Sequence, residues 1–222
     1  IRDFTSISET VKQNDLLFML TLYLTVMTGV VESTEGVVGE VLGDGLLAFW
    51  NTPDNVENHA AKACAAALEQ QRALGPLNAE LLRLRLPQLA IRIGLHTGDV
   101  LTGNIGSEMK MKFGCMGDPV NLASRLEGLC KTYGITTMCS EATRRALPDS
   151  EGFIFRKLDL VQVKGKKEAT TIYELIGRDQ VLSSAGGLVE GGESAVVPAA
   201  RRQQAQLYEE ALQAYHVAQF AE

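Results

Sequence analysis

Four short stretches hold the residues best suited to chemistry. In Gly39-Glu40-Val41-Leu42-Gly43-Asp44-Gly45, an Asp-Gly turn sits between the apolar runs 37–41 and 46–50, which reads as a β-hairpin. The flanking glycines allow a tight turn and the approach of something bulky, so Asp44 projects from a rigid tip suited to a hard cation bound through oxygen. The plainer alternative is turn chemistry alone. In Gly117-Asp118-Pro119-Val120-Asn121-Leu122-Ala123-Ser124-Arg125, Asn121 and Arg125 are four apart on an expected helix and share a face. An amide and a guanidinium aimed together suit a sugar oxygen and a phosphoryl group gaining charge. The plainer alternative is a partial helix cap and an ion pair with a neighbouring acid. Val163-Lys164-Gly165-Lys166-Lys167 is a basic tip after a strand, able to reach polyphosphate, although lysine-rich turns are ordinarily just solvated. Gly94-Leu95-His96-Thr97-Gly98-Asp99-Val100 with Gly103-Asn104-Ile105-Gly106 fits tight turns and close packing better than catalysis.

The elements that must position these residues alternate along the chain. Thr5-Ser6-Ile7-Ser8-Glu9 has the form of a helix start, and one or two helices run on to about Glu32. The hairpin follows. Residues 56–86 are rich in alanine and leucine and read as helix, with Gly75-Pro76 as a candidate break. Residues 89–96 alternate like a strand, with 100–105 as its partner across Thr97-Gly98-Asp99, and 110–116 is a further short strand. Pro119 suits the first turn of a helix over 120–133. A strand at 135–139, a short helix at 141–147 and strands at 153–163 and 171–176 complete an α/β sandwich with a mixed sheet. Residues 177–198, rich in glycine and serine, read as a flexible linker. Residues 199–222 read as a C-terminal amphipathic helix with Tyr208, Leu212 and Tyr215 on one face. That helix resembles one helix of a tetratricopeptide-type repeat; packing on its own domain is the equal alternative.

Bulk properties narrow the function classes. A chain of 222 residues, 45% hydrophobic, suits one globular domain with an appendage. The formal net charge of −6 argues against nucleic acid as the main partner. Cys64, Cys115, Cys130 and Cys139 lack metal-type pairing and read as reduced cysteines of a cytosolic protein. His59, His96 and His216 are far apart, so nothing suggests zinc. The apolar run 16–31 is interrupted by threonines and Gly29 and falls short of a comfortable bilayer span, so a buried core helix is expected. The chain opens at Ile1 without a methionine, so upstream sequence is expected, and membrane contact would come only through such unseen flanking regions.

Taken together, these stretches resemble the catalytic domain of class III nucleotidyl cyclases, the family of adenylyl and guanylyl cyclases. Phe4-Thr5-Ser6-Ile7-Ser8-Glu9, Leu42-Gly43-Asp44-Gly45, Gly94-Leu95-His96-Thr97-Gly98, the 117–125 segment and Val163-Lys164-Gly165 stand in the family's order over residues 1–176. The resemblance implies a ferredoxin-like mixed sheet flanked by helices. It also implies a homodimer, or a heterodimer with a related cyclase domain, whose active sites are shared across the interface. One protomer supplies the metal-binding aspartates, and the other supplies base recognition and the Asn/Arg pair. The ribose 3′-hydroxyl attacks the α-phosphate with the help of two Mg2+ or Mn2+ ions, giving a 3′,5′-cyclic nucleotide and pyrophosphate. By this mapping Asp44 is the second metal ligand, and Ile1 offers its backbone carbonyl to one metal. Asn121 orients the ribose and Arg125 stabilises the transition-state phosphate. Lys164, with Lys166 as its understudy, binds the terminal phosphates. The family's first metal aspartate falls immediately before Ile1, so the sequence is read as truncated within the first strand. Asp3 is no substitute, because it stands where the family usually has glycine. The location implied is cytoplasmic, or the cytoplasmic face of a larger membrane receptor.

Two positions read the base in this family. The first, four residues before Asp44, is Glu40, where adenylyl cyclases usually carry lysine and guanylyl cyclases glutamate. Guanine offers N1–H and a 2-amino group, both donors, and a carboxylate only accepts. The second, seven residues before Asn121, is Gly114, which supplies no side-chain donor to guanine O6. The expected activity is therefore a guanylyl cyclase acting on GTP. The alternatives are an adenylyl cyclase acting on ATP with an atypical base pocket, and a non-catalytic nucleotide-binding partner of another cyclase chain.

Overall fold

Residue patterning accounts for most elements of the computed structural model, which describes residues 1–148, 151–162, 169–179, 203 and 206–212. Helix α1 (Phe4–Thr10) and helix α2 (Gln13–Ser33) lead into a hairpin of β1 (Val37–Leu42) and β2 (Gly45–Phe49). Helix α3 (His59–Arg83) is followed by β3 (Ile93–Leu95), β4 (Leu101–Ser107) and β5 (Lys110–Met116). Then come α4 (Asp118–Tyr133), β6 (Thr137–Ser140), α5 (Glu141–Arg145), β7 (Phe153–Val161) and β8 (Thr170–Arg178). Residues 206–212 are helical. The remainder of the expected linker and C-terminal helix lies outside the described residues.

The mixed sheet is four-stranded, in the order β3-β6-β8-β7, with β3 and β6 parallel and the other neighbours antiparallel. Hairpins β1–β2 and β4–β5 form ladders of their own. The expected pairing of 89–96 with 100–105 does not occur. β4 instead pairs residue for residue with β5, from Leu101 opposite Met116 to Ser107 opposite Lys110. The two-residue connection between β4 and β5 makes that local closure cheap. The chain after β3 is led elsewhere: His96 Nδ1 lies 2.7 Å from Ser140 Oγ, and the Thr97 hydroxyl donates to Thr143 Oγ1 at 3.2 Å.

Helix α2 meets α3 through a stripe four residues apart. Met19, Tyr23, Met27 and Val31 are buried, and the first three cluster with Leu74, Leu77, Leu81, Leu89 and Ile91. Each such side chain removed from water contributes about 1.5–3 kcal/mol. The expected buried core helix is buried along this stripe alone, and Leu17 stays 68% exposed. The outer face tolerates water because the hydroxyls of Thr21 and Thr25 donate to the carbonyls of Leu17 and Thr21. By length and composition, α2 is also the one helix among the described residues that could cross a membrane.

Gly75-Pro76 does not break α3, which runs through it. Proline costs the helix one hydrogen bond, but the buried residues Leu74, Leu77 and Leu81 pin both sides of it. The Asn78 amide anchors the far side, donating to Leu89 O at 2.8 Å and accepting from Leu89 N–H at 2.7 Å.

Helix α4 buries Leu122, Leu126 and Cys130 against Met138, Leu158 and Ile172 of the sheet. It lies so close to β3 that a Cβ on Gly94 would stand 2.1 Å from Ala123 O. Pro119 occupies its first turn, and Gly134 (φ 65°) ends it in the left-handed conformation. On the far edge, residues 206–212 rest on β7. The Arg156 guanidinium lies 4.8 Å above the Tyr208 ring, and Glu209 accepts a 2.9 Å hydrogen bond from Lys157 N–H.

Candidate active site

Asp44 stands in the two-residue turn between β1 and β2, made possible by Gly43 at φ 65°. Its Oδ2 lies 2.9 Å from the Ile1 backbone nitrogen, so the two sequence-predicted metal positions stand side by side. Tyr23, which the sequence did not flag, faces the same place. Burial pushes its phenol up to about 12, and the Asp44 charge adds to the effect. Asp3 adopts φ 52°, a left-handed conformation that glycine adopts most readily, and caps α1 without a side-chain hydrogen bond.

Ile1 and Asp44 line a cavity of about 630 Å³ that also takes in Leu46 and Ala48 of β2, and Ile93 and Leu95 of β3. Helix α4 contributes Val120, Ala123, Ser124 and Glu127 to its wall. Asn121 and Arg125 are absent from that wall. They sit on the neighbouring face of α4, where Asn121 is exposed and Arg125 half-buried. Among the described residues no side-chain hydrogen bond or ion pair engages either one. Among the described residues Arg125 makes no ion pair with a neighbouring acid, and Glu127 pairs with Arg92 Nε at 2.7 Å. A guanidinium without a partner among the described residues is available for an anion brought to it.

The two base-reading positions stand on adjoining hairpins. Glu40 lies in β1 beside an irregularity in the ladder, opposite Leu47. Its carboxylate is ion-paired with the Lys112 ammonium of β5, a partner the sequence gave no reason to single out. Gly114, two residues on from Lys112, is buried and paired with Gly103. Lys164 and Lys166 lie outside the described residues.

The oxygen donors present, the Asp44 carboxylate and the Ile1 carbonyl, fit a hard divalent cation in kind. In number they make a partial shell: among the described residues no three His, Cys, Asp or Glu side chains cluster to hold an ion. Burial pushes the thiols of Cys64 and Cys130 up to about 12 and that of Cys139 well above its ordinary range, so these cysteines serve the core.

Comparisons with known proteins bear on the family and the fold. The family model described as "Adenylate and Guanylate cyclase catalytic domain" matches residues 1–177. Adenylate cyclase 1 of Rhizobium meliloti (strain 1021) is 36% identical over 177 residues, which is 80% of this chain and 26% of that protein. The crystal structure of the guanylyl cyclase Cya2 superimposes with a TM-score of 0.73 at 32% identity, covering 82% of this chain and 91% of that one. The guanylate cyclase domain of RhGC from Catenaria anguillulae, solved in complex with GTP, gives a TM-score of 0.69 at 26% identity, with 81% and 93% covered. The chain thus spans about a quarter of the length of its Rhizobium relative and nearly all of the two solved domains.

Proposed function

The chain belongs to the adenylate and guanylate cyclase catalytic-domain family and has its mixed α/β fold; from that premise we propose that it is a guanylyl cyclase, converting GTP to 3′,5′-cyclic GMP and pyrophosphate. The observation that carries the choice of base is the Glu40 carboxylate, an acceptor-only group in the base-reading position. It satisfies the N1–H and 2-amino donors of guanine and opposes the N1 lone pair of adenine. Similarity to Cya2 and to a GTP-bound cyclase domain supports this reading. The name of the Rhizobium relative favours the second reading, an adenylyl cyclase with an atypical base pocket.

In the proposed reaction the ribose 3′-oxygen forms a bond to the α-phosphorus and gives up its proton to solvent water. The bond from that phosphorus to the bridging oxygen breaks, and pyrophosphate leaves. Asp44 and the Ile1 carbonyl would hold a divalent cation, which draws charge from the triphosphate and acidifies the attacking hydroxyl. Asn121 holds the ribose in line. Arg125 meets the negative charge that grows on the phosphoryl oxygens, an interaction stronger in the transition state than in the ground state. Lys164 and Lys166 bind the terminal phosphates.

A homodimer supports this division of labour. In one chain the Asp44 cavity and the Asn121/Arg125 face are separate surfaces, so a second copy, or a related cyclase domain, is needed to bring them to one nucleotide. Initial rates with GTP and with ATP, each with Mg2+ and Mn2+, test the assignment. Higher kcat/KM for ATP overturns the guanylyl reading. Absence of turnover with either nucleotide, together with stimulation of a second cyclase chain, replaces it with the non-catalytic partner.

A further inference from the structure

We propose that Lys112 is the second half of the base reader, donating to guanine O6, a role Gly114 has no side chain to perform; this inference rests on the guanylyl reading above. Guanine presents three groups in a row along one edge: the acceptor O6, the donor N1–H and the 2-amino donor. Glu40 can take the two donors. O6 then needs a donor next to the carboxylate.

The ion pair of Glu40 with Lys112 puts an ammonium there. Lys112 and Gly114 are two apart on β5 and therefore lie on one side of the strand. The ammonium has three donors and no acceptor, so one can stay on Glu40 while another reaches O6. The partners are 72 residues apart in sequence and come together only because hairpin β4–β5 leans on hairpin β1–β2. Their side chains are 52% and 38% exposed, so both can turn towards a ligand. A salt bridge this exposed contributes little to stability. Adenine mismatches the pair twice: its 6-amino group meets the ammonium and its N1 lone pair meets the carboxylate. Discrimination thus comes from two adjacent mismatches.

The alternative is that Lys112 merely braces the β4–β5 hairpin against β1. A charge swap separates the two. E40K/K112E keeps an ion pair between the hairpins, but it turns a donor towards the ring N1 and an acceptor towards position 6, the pattern adenine needs. KM and kcat for GTP and ATP are measured for wild type, K112A, K112R and E40K/K112E, with thermal melts of each. The expected result is a rise of about tenfold in KM for GTP in K112A with a smaller change in kcat. K112R should retain the preference for GTP, and the swap should invert the GTP/ATP ratio. If K112A leaves that ratio unchanged, or the swap restores GTP use, Lys112 is a brace and the proposal is overturned while the guanylyl reading stands. If wild type itself prefers ATP, the guanylyl reading fails and this inference fails with it.

Discussion

Gly94→Ala places a methyl group where helix α4 leaves no room. The new Cβ would stand 2.1 Å from Ala123 O and 2.4 Å from Glu127 N. Both are backbone atoms, so no side-chain rotation relieves the clash. Restoring an ordinary 3.4 Å contact to the Ala123 carbonyl requires α4 and β3 to separate by about 1.3 Å. Forcing a packed interface open to that extent costs about 1–3 kcal/mol, against a total stability of roughly 5–15 kcal/mol for a domain. For a chain of this size that lowers Tm by roughly 4–8 °C for a loss of about 2 kcal/mol. The shift also bears on activity. Asn121 and Arg125 ride on α4, and a displacement of about 1 Å at a group that positions substrate costs on the order of 100-fold in rate. The assay pairs urea unfolding with initial rates at saturating nucleotide. Gly29→Ala is the control with the opposite sign, since nothing lies within 4 Å of its added methyl. In the exposed interior of α2 that change should stabilise by about 0.5–1 kcal/mol. If Gly94→Ala unfolds at the wild-type urea concentration and turns over at the wild-type rate, α4 does not lie on β3 as described and the link from packing to catalysis is wrong.

Asp44→Ala should abolish metal-dependent turnover while leaving the far-ultraviolet circular dichroism unchanged, because the partly exposed carboxylate sits in the turn between β1 and β2 and outside both ladders; retained activity would remove Asp44 from the metal site. Arg125→Ala should lower kcat by roughly 100-fold or more, change KM less, and move the melting temperature little, since no hydrogen-bond or ion-pair partner among the described residues is lost; equal losses in binding and rate would show a ground-state contact instead. In the native protein at pH 8 a thiol reagent should label Cys115 and leave Cys64, Cys130 and Cys139 unmodified until unfolding, as burial raises all four but Cys115 is only half-buried. Stability should fall as pH rises from about 9 towards 12. The folded state keeps the protons of Cys64, Cys130, Tyr23 and Tyr133 up to about 12, while the unfolded chain releases them near 9 for cysteine and 10 for tyrosine. Urea midpoints measured across that range would test it, and a flat profile would show that these groups are not shielded.

Local signals in the sequence carried the helix and hairpin framework. Gly43 and Asp44 sit at a turn that few other residues could make, and Pro119 and Gly134 mark the two ends of α4, so the hairpin and the helix bearing Asn121 and Arg125 were legible from chain chemistry alone. The family likewise followed from motif order, because each motif meets a local need of the reaction. What tertiary structure alone decided are encounters between distant segments. The alternation in 89–96 marks a strand but does not name its neighbour. β3 joined β6 rather than β4 because β4 closed on β5 through a two-residue turn while Ser140 and Thr143 held the intervening loop. Pro76 looked like a breaker because propensity is local, and packing of Leu74, Leu77 and Leu81 overrode it. The pairing of Glu40 with Lys112 has no sequence signature, because charges find partners by distance in space and spacing along the chain does not encode that distance.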